Sequence, residues 1–126
     1  MPLDIFVNKK ETGDPIFVLA GAVDAETYSE LEKEIENALL ESPKNIVLDL
    51  ARLQYISSMG LSVLVKAEKV LQGNKGALIL INLPPQIKKV IDVISSLPSM
   101  NIFKNMEEAD AYLLKIQRDE VEKNSL

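Results

Sequence analysis

Two adjacent hydroxyls, Ser57 and Ser58, stand with Met59, Gly60 and Leu61 between an apolar run at 46–50 and an amphipathic stretch at 61–71. The first stretch has the character of a buried strand and the second that of a helix, so the serines fall at a helix start. Helix starts leave backbone N–H groups unpaired and carry the positive end of the helix dipole, which suits hydroxyl caps and anionic groups. A serine there is either an N-cap or a phosphate acceptor, and a phosphate would add about −1.5 to −2 charge at the turn. Residue type and spacing leave both roles open. Gly60 implies close packing or close approach of a partner. Met59 is either an adaptable contact or a core side chain.

The residues that are missing exclude much other chemistry. The chain has no Cys and no His. It therefore holds no thiol nucleophile, no thiolate metal site and no imidazole base. No G-x-x-x-x-G-K-[ST] or G-x-G-x-x-G string is present to cradle a phosphate. No catalytic residue, metal site or cofactor is expected, and a binding or switch protein is favoured over an enzyme. The net charge of −5 argues against nucleic acid, which a basic stripe would have to meet. Acid is concentrated at Asp24, Glu26, Glu30, Glu32, Glu34 and Glu36, against Lys33. This pattern fits a solvated helix face, or one turned to a basic partner.

The elements that must position the serines follow from periodicity. The 126 residues, 47% hydrophobic and 26% charged, suit one α/β domain. Strands are expected over 3–8 and 15–20, forming a hairpin across the turn that contains Gly13 and Asp14. Asp24 is expected as the N-cap of a first helix whose buried face is Tyr28, Leu31, Ile35, Ala38 and Leu39. A short strand buried on both faces follows at 45–50, and then the serine turn. The next helix has the stripe Leu61, Leu64, Ala67 and Leu71, and Gly73 and Gly76 stop it. A strand at 77–81 leads to a helix begun by Pro84 and Pro85, with the face Ile87, Val90, Ile91 and Ile94. A loop at 95–99, a minimal strand at 102–103 and a final helix capped by Asn105 complete the domain over 1–118, leaving a polar tail at 119–126. The order β-β-α-β-α-β-α-β-α implies a mixed, mostly parallel sheet of about five strands with about four helices. No apolar run reaches the ~20 residues of a membrane span, and the N-terminus has no signal pattern, so a cytoplasmic protein without membrane insertion is expected.

This order of elements, the strand at 46–50, the phrase Tyr55-Ile56-Ser57-Ser58-Met59-Gly60-Leu61 and the Gly21-x-x-Asp24 string before an acidic helix resemble the STAS domain. More narrowly, they resemble the bacterial anti-sigma factor antagonists, over about residues 3–117. The resemblance implies a protein that binds an anti-sigma factor with serine kinase activity, and that loses this binding when phosphorylated at the strand–helix turn. The family's motif commonly reads Asp-Ser-(Ser/Thr)-Gly-Leu, which lays Ser58 on the acceptor position and matches Gly60 and Leu61. Ser57 stands where Asp is frequent, and Met59 where a hydroxyl residue is frequent. The partner surface implied is Asp24, Ser57, Ser58, Met59, Gly60 and Leu61, with Met59 and Leu61 exposed as a small apolar spot. The alternative within the fold is an unphosphorylated scaffold or accessory subunit of a stress-sensing or lipid-transport complex.

Overall fold

Apolar alternation and the glycine- and proline-marked breaks in it produce nine elements among the described residues. A computed structural model describes residues 2–93 and 101–124. In chain order the elements are β1 (Leu3–Lys9), β2 (Pro15–Val23), α1 (Tyr28–Leu39), β3 (Asn45–Ile56), α2 (Ser58–Gly73), β4 (Ala77–Ile81), α3 (Pro85–Val93), β5 (Asn101–Phe103) and α4 (Met106–Asn124). The strands form one sheet in the order β1-β2-β3-β4-β5. The β1–β2 hairpin is antiparallel, and every other neighbouring pair is parallel. The expected architecture is therefore present.

The central strand shows why a short, wholly apolar run belongs in the middle of a sheet. Ile46, Leu48 and Leu50 are buried in the main core with Leu31 and Ile35 of α1, Leu64 and Leu71 of α2, and Ile87 and Ile91 of α3. Val47 points to the other side and packs with Ile79, Ile81 and Ala109, the last from α4. Alternate side chains of one strand thus enter two cores, as the period of 2 requires.

Several boundaries differ from the sequence reading. β3 runs on to Ile56, six residues past the apolar run, because β2 alone accompanies it there. The register passes through irregularities between Val18 and Ala20 and between Gly21 and Ala22. Bulges of this kind break strict alternation, so Arg52, Gln54 and Tyr55 are exposed while Leu53 and Ile56 are buried. α2 starts at Ser58, three residues earlier than its apolar stripe. After α2 the left-handed residue is Lys75, at φ 62°. Gly76 instead allows a close approach, since a Cβ there would lie 1.4 Å from the Lys44 carbonyl oxygen. Asn105 caps α4 as expected, accepting from the Glu108 N–H at 3.0 Å. The helix then continues to Asn124, through most of the segment expected as a tail. Ile94 and the loop expected at 95–99 lie outside the described residues.

Candidate functional site

β3 delivers the serine turn to the C-terminal end of the sheet, where α2 begins. Ser57 has extended backbone (φ −87°, ψ 172°) and its side chain accepts from the Gly60 N–H at 3.2 Å. Its carbonyl receives the Leu61 N–H at 2.9 Å, and its own N–H donates to the Val23 carbonyl at 2.8 Å. Ser57 is therefore the N-cap, bonded on one side into α2 and on the other to the end of β2. Ser58 is the first helical residue and is exposed. Of the two hydroxyls, one is committed to the backbone and the other faces solvent. Met59, 42% exposed, lies next to it. The Ser62 hydroxyl donates to the Met59 carbonyl at 2.6 Å.

Gly60 answers to packing. A Cβ built on it would sit 2.6 Å from Val23 Cγ1 and 2.8 Å from Ile56 Cγ1, so any side chain would push α2 away from β2 and β3. Leu61 corrects an expectation. It is 3% exposed and belongs to the main core, so its side chain offers no apolar spot to a partner. The first turn of α2 faces inward at Gly60 and Leu61 and outward at Ser58, Met59 and Ser62, as 3.6-residue periodicity dictates.

Asp24 also takes a different part from the one expected. The N-cap of α1 is Thr27, and Asp24 organises the turn before it. Asp24 Oδ1 accepts from the Glu26 N–H at 2.9 Å and the Thr27 N–H at 3.1 Å. The Thr27 hydroxyl, itself buried, donates to the Ala22 carbonyl at 2.7 Å and accepts from the Asp24 N–H at 2.9 Å. The backbone N–H of Glu26 leads in holding the Asp24 carboxyl below the usual aspartate range, with Thr27 adding to it. This turn directly follows Val23, whose carbonyl holds Ser57 and whose side chain meets Gly60. The structure thus brings the Asp24 turn beside the serine turn through Val23.

Tyr55 completes the exposed set, at 52%. It stands within the motif, where residue type and spacing give it no role. Its signal was an aromatic residue in a strand whose pattern had already turned polar. At the opposite end of the sheet, where β3, β4 and β5 begin, is a cavity of about 950 Å³ walled by residues including Asn45, Glu68, Ala77 and Leu113. Lys9, Lys75, Glu11 and Asp110 are among its lining residues, which carry both signs of charge. Among the described residues, no helix is long and apolar enough to cross a membrane.

Comparison with known proteins agrees with this fold. The family model for the STAS domain matches residues 6–109. This chain belongs to the STAS domain family. A Bordetella bronchiseptica protein, BtrV, which carries the name of an anti-sigma factor antagonist, is 33% identical over 102 residues; the match spans 81% of this chain and 88% of that protein. Among solved structures, an anti-sigma factor antagonist from Mycobacterium paratuberculosis superposes with a TM-score of 0.79 at 20% identity, covering 88% of this chain and 93% of that chain. The Bacillus cell fate determinant SpoIIAA in its phosphorylated form superposes with a TM-score of 0.68 at 20% identity, covering 86% and 99%. At these identities the structural likeness establishes the fold.

Proposed function

We propose that this STAS domain is an anti-sigma factor antagonist: it binds an anti-sigma factor with serine kinase activity, in the cytoplasm, and phosphorylation of Ser58 releases it. The observation that carries this reading is the division of labour between the two serines. Ser57 is engaged as the cap of α2, whereas Ser58 is exposed beside it. A phosphate on Ser58 would be stabilised by the helix start by about 0.3–1 kcal/mol. Burying the same dianion under a partner that lacks a matching cation would cost several times more. Asp24, charged across the usual pH range, would add like-charge repulsion. Modification therefore weakens docking. The names carried by the relatives, and a neighbour of the same fold in a phosphorylated form, support the same assignment.

The docking surface in this reading is Ser58 with Met59 and Tyr55, bordered by the Asp24 turn. Gly60 and Leu61 support it from below, and Ser57 holds the turn in shape. Calorimetric titration of the anti-sigma partner tests the proposal. Ser58→Ala is expected to bind as wild type does, because the cap at Ser57 remains. Ser58→Asp and Met59→Asp are expected to bind at least tenfold more weakly, about 1.4 kcal/mol, with unchanged circular dichroism. Phosphopeptide mapping should find the phosphate on Ser58 and not on Ser57. Equal affinities for wild type, Ser58→Ala and Ser58→Asp, with no phosphate in cells, would instead favour an unswitched scaffold.

A further inference from the structure

We propose that this chain pairs with a second copy of itself through β1, edge to edge and antiparallel, about a two-fold axis at Phe6, extending the five-stranded sheet to ten strands. β1 is the terminal strand of the sheet and bonds to β2 along one edge; no other described strand lies along its outer edge. Its seven residues, Leu-Asp-Ile-Phe-Val-Asn-Lys, contain no Pro or Gly and pair with β2 in unbroken register. Natural edge strands are usually blunted by such breaks, by bulges or by inward-facing charges, because an open row of N–H and C=O groups is a template for another strand. Here the middle of the strand is instead apolar and uncovered: Phe6 is 53% exposed and Val7 46%.

The side chains specify the second copy as the occupant. A two-fold axis perpendicular to the sheet keeps each side chain on its own face, so full overlap of Leu3–Lys9 with itself centres on Phe6. Ile5 then meets Val7 of the second copy, twice, and Phe6 meets Phe6. On the Phe6 face, the β1–β2 register places Val18 beside Phe6, making an apolar row of Val18, Phe6, Phe6 and Val18 across the joint. On the other face, Leu3 and Ile5 already pack against the main core, and Ile5 would carry that core across to Val7 of the second copy. Charges also agree. Asp4 faces the amide of Asn8, and no like charges are opposed within Leu3–Lys9. A shift of one two-residue step either way would set Phe6 against Asp4 or Asn8. Cross-strand apolar and aromatic pairs favour the centred register.

The absence of cysteine makes the axis directly testable. Light scattering on the full chain at rising concentration should approach twice the 14.0 kDa monomer mass. Phe6→Lys and Phe6→Glu should each remain monomeric, since each sets its charge against itself at the axis. An equimolar mixture of the two should restore the dimer, because Lys then meets Glu. A single thiol at Phe6→Cys should cross-link to its own copy under mild oxidation. Directly opposed residues approach within reach of a disulfide. Leu40→Cys, on a side chain 83% exposed elsewhere, should not cross-link. A wild-type chain that stays monomeric at every concentration overturns the proposal and leaves the edge to a strand from another protein. A dimer indifferent to Phe6→Lys overturns it equally, as does failure of the charge-paired mixture to associate.

Discussion

Gly60 does its work by having no side chain. Its neighbours Val23 and Ile56 end β2 and β3, and both are fully packed, so neither can give way to a methyl group without moving its strand. Gly60→Ala is therefore expected to lower stability by about 1–3 kcal/mol through overpacking, measured by urea denaturation. Larger residues should do worse. A loss of partner binding in such a variant reports a displaced α2, not a lost contact, whereas Met59→Asp tests the surface itself. The same distinction separates the two serines. They are alike in type and adjacent in sequence, yet one hydroxyl is spent on the Gly60 N–H and the other faces solvent. Sequence indicated that a hydroxyl would cap a helix there. The φ/ψ values at Ser57 assign that role to it and leave Ser58 available.

α2 carries a buried carboxylate that fastens the helix to the sheet. Glu68 is 3% exposed; Oε2 accepts from the Leu78 N–H at 2.9 Å and Oε1 from the Gln72 amide at 3.2 Å. Burial pushes its carboxyl above the ordinary value of 4.5, against the opposing pull of those two donors. A folded-state pKa above the unfolded one means that the folded chain binds the proton more tightly. The Glu68 contribution to stability is then fully present below about pH 4.5 and is lost as pH rises through the raised value. Glu68→Gln keeps an acceptor for the Leu78 N–H and cannot ionise. Chemical denaturation should show this variant more stable than wild type at pH 8, with the gap closing as the pH falls to 4. A gap independent of pH would mean that Glu68 ionises in the fold as freely as it does in water. Glu68 stands four residues past Leu64 and seven past Leu61, within the apolar stripe of α2, so helical spacing alone turns it inward, and the Leu78 N–H of β4 supplies its partner there.

Across the whole molecule, β3 joins the core under α1, α2 and α3 to the smaller one under α4. Leu48, fully buried between β2 and β4, enters the larger of the two. Leu48→Ala is expected to cost about 2–5 kcal/mol by urea denaturation, since the surrounding sheet and helices cannot collapse into the cavity. A loss under about 0.5 kcal/mol would contradict the burial seen here. The element order, the parallel sheet and the position of the serine turn were all legible in the sequence, because apolar periodicity and the breaks at Gly, Pro and Asn are local signals. The resemblance to the STAS domain drew on those same segments. What local signals could not decide was which side chains around the serine turn meet solvent, and there Leu61, at the start of α2, proved internal and Tyr55, near the end of β3, external. Nor could they decide that Thr27, not Asp24, caps α1, that β3 would follow β2 for six residues past its apolar run, or that Phe6 would be left on an open edge. Each of these depends on which strand or helix comes to lie alongside. A residue's own type and spacing show what it can bond or bury, but its neighbours are set by segments far off in the chain. Hydrophobic pattern therefore determined the layers, and tertiary packing chose which groups at their margins remain exposed for binding.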